Sequence, residues 1–321
     1  MVYMASMEPK INYYQKIEQA TWDRREGKVD LDVMVASVKN GKAVGENRKV
    51  LRGNNQNFEL VIFNQGDEYI YNDQPSLYLH FSLIQGTAII KELQQQGYDD
   101  GKNGYTIRLD HNTVAGTGAG LLAIRDYEFQ ISNQKTLHLC PLKEKKVEYQ
   151  IQLCKDSNGK LTPINNIPTT IIWEPKHIKV ALQIDKKEIK GNEKEIQLTL
   201  NNQGDTLSDE DKDILQLKIE RLGNKQSRLG TFGKNGQKYV GINTQNIFIT
   251  GNILNSVNVI PTDRKKIINT GSNLPFPKIW IEPRATENSV TFRFTLFYTQ
   301  QNGDKQQEII LGTPQEVTWA E

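Results

Sequence analysis

The sequence predicts an all-β protein built as two tandem antiparallel β-sandwich domains, and three observations carry that expectation. The first is alternation. In "VTFRFTLF" (290–297), Val290, Phe292, Phe294 and Leu296 fall on one face and Thr291, Arg293 and Thr295 on the other. A period of two marks a half-buried strand, whereas the apolar residues of a helix recur near 3.6. The second is punctuation. Asn-Gly, Gly-Asp and Asp-Gly steps separate the runs "KVDLDVMV" (28–35), "FELVIF" (58–63), "IKVALQI" (178–184) and "EIQLTLN" (195–201). Such steps supply the positive φ of tight turns.

The third observation is repetition. "NQGD" stands at 64–67 behind one alternating run and returns at 202–205 behind another, 138 positions on. The match extends outward in one order. "LYLHF" (77–81) answers "LQLKI" (215–219), and "GKNG" (101–104) returns at 233–236. "LHLCP" (137–141) answers "IWIEP" (279–283), and "VEYQIQL" (147–153) answers "VTFRFTL" (290–296). A shared Asn-Gly turn follows at 158–159 and 302–303, then "IIWE" (171–174) against "VTWA" (317–320). Matches in one register with small offset drift indicate a duplicated domain.

"TWD" (21–23), "IWE" (172–174) and "TWAE" (318–321) read as domain ends, giving an N-terminal segment 1–20 and domains 21–173 and 174–321. On this reading Trp22 packs at the entrance of the first domain and Trp173 between the two. Trp319 either folds back or offers a docking surface for another protein or another copy. Helix signals are few: "INYYQKIEQA" (11–20) as a short helix, and "LSDEDKDIL" (207–215) as one turn capped by Ser208.

Short strands divided by such turns predict sandwiches of the immunoglobulin-like kind. An alternating strand running into Asn-x-Gly-Asp, then a polar loop and a second alternating strand, resembles bacterial immunoglobulin-like repeats of the CARDB (cell-adhesion-related) type. The resemblance covers one strand-loop-strand stretch per domain. It implies an adhesive role and brings no catalytic residues.

Composition narrows the function. Lys and Arg number 40 against 38 Asp and Glu, a net charge of +2, so nothing favours nucleic acid as partner. No apolar run reaches the roughly 18–20 residues of a membrane helix, since "TVAGTGAGLLAI" (113–124) is short and Gly-rich. The first residues lack the apolar core of a signal peptide. A surface, extracellular or particle-associated location is the expectation from the adhesive reading. The two cysteines, Cys140 and Cys154, are expected to be unpaired. If "TLHLCPL" and "KVEYQIQLC" form one hairpin turning at 143–146, the two lie about 16 Å apart at ~3.3 Å per residue, too far for a disulfide.

Motif by motif, chemistry is scarce. "AGTGAG" (115–120) lacks the Lys-Ser/Thr of a phosphate loop and is flanked by strands. "KDSNGK" (155–160) lacks the Glu that a calcium loop needs at its twelfth position, where Ile167 stands, so it reads as a hairpin turn. "DTLSDEDKD" (205–213) carries five acids and reads as a solvated loop. His80, His111, His138 and His177 fall singly, without zinc spacing. No metal ligand, cofactor or catalytic residue is nominated. The candidate binding residues are Tyr69, Tyr71, Asn72 and Asp73 in the loop after "NQGD", with Trp280, which falls in the outward register, and Trp319. Outward aromatics beside amides suit a protein hot spot or a sugar platform. The leading expectation is a non-enzymatic structural or adhesive module with a protein partner or self-assembly. A carbohydrate-binding accessory module with a glycan ligand is the second, and a hydrolase with an inter-domain cleft the third.

Overall fold

The computed structural model describes residues 29–39, 42–70, 76–101, 104–115, 121–123, 125–143, 145–164, 167–232, 238–240, 244–249, 267–275, 279–302 and 305–321. The chain divides into two compact units at Glu174 and Pro175, with the short stretch Arg52–Asn55 grouping with the second. Among the described residues almost all regular structure is strand, the exception being the helical turn Lys91–Gln95.

The first unit sets a four-stranded antiparallel sheet against a larger one. The smaller runs Asp126–Glu128, Leu60–Asn64, Leu31–Lys39, Lys42–Glu46. The larger orders Arg48–Arg52, Thr169–Glu174, Val147–Ser157, Leu77–Gln85 and Gly104–Arg108. A three-stranded piece, Asn57–Phe58, Leu137–Pro141, Ala88–Ile90, accompanies them. Alternation decides what each strand buries: Leu31, Val33 and Val35 of one sheet meet Leu79, Phe81, Ile151 and Leu153 of the other in one core. Each such side chain contributes roughly 1.5–3 kcal/mol by leaving water.

The second unit repeats the plan. Val180–Ile184, Leu198–Asn202 and Asn273–Pro275 form one sheet. Glu188–Lys190, Gln315–Ala320, Ser289–Asn302, Ile214–Arg221 and Thr244–Phe248 form the larger. Glu195–Ile196, Ile279–Glu282, Arg228–Phe232 and Lys238–Val240 make the third. The pairings coincide with the sequence repeat. Leu79 pairs with Leu153 and Phe81 with Ile151, as Leu217 pairs with Leu296 and Ile219 with Phe294. Val147 pairs with Trp173, as Val290 pairs with Trp319. Both units are immunoglobulin-like sandwiches of mainly antiparallel strands, although Glu188–Lys190 runs parallel to Gln315–Ala320 in the second.

The twice-written "NQGD" is a buried backbone clamp. The Asn64 amide donates to the carbonyls of Asp67 and Leu122, each at 2.9 Å, and its oxygen accepts the Gly66 N–H at 3.1 Å. Asn202 donates to Asp205 O at 2.9 Å and Ile268 O at 3.2 Å, and accepts from Gly204 N–H at 3.0 Å. A buried turn leaves main-chain groups that water cannot reach, and one asparagine satisfies three of them. The glycine is needed for closeness: a Cβ at Gly204 would stand 2.2 Å from the His177 carbonyl oxygen.

Three expectations are corrected. Cys140 and Cys154 form no disulfide, but not because they share a hairpin. Leu137–Pro141 pairs with Asn57–Phe58 and Ala88–Ile90, while Val147–Ser157 lies in the large sheet between Leu77–Gln85 and Thr169–Glu174. Consecutive strands of a sandwich often cross from one sheet to the other. Next, Trp173 belongs to the first unit's core, while Trp319 takes the folded-back alternative in the second's, each 5% exposed. Both sit in inward register on a last strand, and the Trp319 indole N–H donates to Gly191 O at 3.0 Å. Trp22 lies outside the described residues. Finally, Ser208 caps a turn, accepting the Asp211 N–H at 3.2 Å, but Leu207–Ser208 is a strand paired with Ile267–Ile268 and no helix follows. The stretch 11–20 lies outside the described residues.

Candidate functional site

The outer face of the first unit's four-stranded sheet carries a groove of about 770 Å³. Its geometry follows from strand alternation. Leu60 and Ile62 turn inward, so Val61 and Phe63 turn out, joined by Ala36 and Val44 from the neighbouring strands. Lys42–Glu46 forms the edge of this sheet. At Gly45 a Cβ would stand 2.6 Å from the Phe63 ring and 2.7 Å from the Met34 sulfur. The glycine therefore allows an aromatic and a thioether to lie flat across the edge strand.

The rim is charged but balanced: Lys49, Arg125 and Lys135 against Glu59, Asp126 and Glu128. Several of these groups are held. Lys135 and Glu128 form an exposed ion pair, and the Thr136 hydroxyl donates to Glu59 Oε1 at 2.7 Å. The Arg125 guanidinium lies 4.7 Å from the centre of the buried Tyr127 ring, a cation–π arrangement that fixes a long side chain at the groove wall. An apolar floor with a mixed rim of both signs can take up alternating apolar and polar groups of a partner.

The structure disperses the residues nominated from sequence. Tyr69 is core, 4% exposed, on the strand Tyr69–Ile70 that pairs with Leu121–Leu122; burial pushes its hydroxyl up to about 12. Its ring is no exposed platform, because it occupies the same inward position as Leu207 of the second unit. Tyr71, Asn72 and Asp73 lie outside the described residues. Ile279 and Ile281 join the second core while Trp280 points the other way, as its register predicts. Only 9% of Trp280 is exposed. It lines a shallow polar hollow with Lys186, Glu193, Glu195 and Glu282, so long charged side chains cover what the sheet does not.

Two groupings escaped the sequence reading. His138 is not alone: its Nδ1 lies 2.6 Å from Oε1 of the buried Glu92, whose Oε2 accepts the His138 N–H at 2.8 Å. Nor is the acidic stretch 205–213 simply solvated, since Asp213 is wholly buried against Lys176. Partners 46 and 37 positions away gave no local signal. Among the described residues no group of three or more His, Cys, Asp and Glu side chains could hold a metal ion. No helix there is long and apolar enough to cross a membrane, which says nothing of a β-barrel.

No protein-family model matches the chain, and no curated protein matches it. Solved structures do. The C-terminal domain of the antigen I/II-family protein AspA of Streptococcus pyogenes aligns over 91% of this chain and 99% of its own, at 10% identity and a TM-score of 0.35. The C-terminal domain of the antigen I/II polypeptide BspA of Streptococcus agalactiae aligns over 91% and 100%, at 10% identity and 0.33. A marsupial T cell receptor aligns over 90% and 73%, at 13% and 0.33.

Proposed function

We propose that this protein is a non-enzymatic interaction module, structural or adhesive in role, that binds a protein partner through the groove on its first unit. The observation that carries the reading is the composition of that surface: half-buried Val61 and Phe63 between three cations and three carboxylates, beside the sheet edge Lys42–Glu46. A rim with no excess of either sign favours neither a polyanion nor a polycation. An edge strand offers main-chain donors and acceptors to an extended peptide, and the apolar floor offers room for its alternate side chains. A surface or particle-associated setting accompanies this reading.

Panning a library of displayed linear peptides against the folded protein, with Val61→Glu as the counter-selected control, tests it. Enriched peptides should alternate apolar and polar residues and lose at least tenfold in affinity for Val61→Glu, whose circular dichroism should stay that of the parent. Enrichment indifferent to Val61→Glu would sink the groove. Specific retention on a glycan array, competed by neither peptide nor variant, would favour the carbohydrate-binding alternative.

A further inference from the structure

The second unit holds a lysine where a lysine is seldom found. The Lys176 side chain is 4% exposed, and its ammonium meets Asp213 Oδ2 at 2.5 Å, Asp211 Oδ2 at 2.8 Å and Thr206 O at 2.9 Å. Asp213 is wholly buried. Its Oδ2 also accepts the Ser208 N–H at 2.9 Å, and its Oδ1 accepts the Tyr298 hydroxyl at 2.7 Å. Amine and carboxyl are thus pressed together in a site that excludes water, with a second carboxylate on the amine and a phenol on the far oxygen.

We propose that Lys176 and Asp213 condense to an intramolecular amide, a covalent cross-link between the chain entering the second unit and the loop before Ile214–Arg221. The balance is simple. The ammonium nitrogen bonds to Asp213 Cγ, the Cγ–Oδ2 bond breaks, and the two protons that nitrogen loses leave with Oδ2 as one water. No oxidant or activating group is required. Asp211 is placed to take one of those protons from Nζ and return it to the departing oxygen. Tyr298 donates to Oδ1, the oxygen that stays, and stabilises the negative charge it gains as the tetrahedral centre forms.

In water this condensation is unfavourable, because both ions are well solvated. Burial removes that solvation and makes the neutral pair, and then the amide, the less costly state. Burial also holds the Asp213 carboxyl above its usual range, against the lowering influence of Lys176, Ser208 and Tyr298. Fixed contact supplies the rest, since well-oriented groups react as though present at effective molarities of about 10⁵ M or more. The first unit has no counterpart among its described residues: where Tyr298 stands in the second, the equivalent strand position is the exposed Lys155.

The test is the intact mass of the denatured wild-type chain, followed by peptide mapping. The expected result is a chain lighter by one water, with a branched peptide joining the segment of Lys176 to that of Asp213. Lys176→Arg and Asp213→Ala should have their full calculated mass. Asp211→Asn keeps both bonded groups and should form the link slowly, as a full-mass fraction that declines on incubation. A wild-type chain of full mass, or a loss of water mapped anywhere other than this pair, overturns the proposal. The deciding readout needs no variant to fold.

Discussion

The two units are the same scaffold solved twice with different side chains. Where Phe81 faces Ile151 in the first, Ile219 faces Phe294 in the second. The aromatic has moved to the partner strand and the aliphatic has taken its place, so the pair keeps its volume. Tyr149 in the first unit sends its hydroxyl to Ala88 O at 3.0 Å, whereas the second has Phe292 at that position and needs no such bond. The Asn-Gln-Gly-Asp clamp keeps its residues and its three bonds, Asn202 adding one to Asn269 O at 3.3 Å. Apolar positions tolerate exchange because shape can be met by many combinations. A clamp that satisfies buried main-chain groups tolerates little, because each lost bond leaves a group without water. The units part company outside that framework: the first carries an extra edge strand and a groove, the second a buried lysine and aspartate.

The largest effect should come from the cores. Phe294→Ala and Phe81→Ala are each expected to cost ~3–5 kcal/mol in denaturant unfolding, while Arg293→Ala, on the outer face of the same strand, should stay within about 0.5 kcal/mol. Equal effects for Phe294 and Arg293 would break the strand register. Next, Asn64→Ala and Asn202→Ala should cost about 1–3 kcal/mol each, and by similar amounts. A neutral substitution at one of them would show that the two clamps are not equivalent.

The aromatic exchange can be sharpened by transplanting it. Phe81→Ile and Ile151→Phe should each destabilise by about 1–3 kcal/mol. The double variant should be more stable than their sum by about 0.5 kcal/mol or more, whereas strict additivity would mean the pair does not share one volume. Smallest in energy is the behaviour of the thiols. Burial pushes the Cys154 thiol up, so little thiolate is present near neutral pH and the folded protein should react slowly with a thiol reagent there. Unfolding without reductant should release both thiols; recovery of fewer than two per chain would contradict the absence of a disulfide.

The core was legible from alternation alone. Phe58, Leu60, Ile62, Leu77, Leu79, Phe81, Tyr149, Ile151, Phe292, Phe294 and Leu296 are all buried as the period of two predicts. The repeat was legible because equivalent strands keep equivalent patterns. Sequence adjacency misled at the cysteines, where neighbouring strands go to different sheets. A recurring chain position misled at the tryptophans, since standing near a domain's end does not say which way an indole points. Tyr69 misled because a polar flank made an inward residue look outward. The groove and the Lys176 cluster were invisible for another reason: both are assembled from strands and loops distant in sequence, and no local spacing encodes them.

The central claim, one clamp used twice, is tested most directly by hydrogen exchange at two amides. Gly66 N–H is shared between Asn64 Oδ1 and Asp30 O, and Gly204 N–H between Asn202 Oδ1 and Lys179 O. Both should be strongly and similarly protected, and each should lose protection when its own asparagine becomes alanine while the other stays unchanged. Rapid exchange at either glycine in the wild-type protein, at the rate of an open loop, would contradict it.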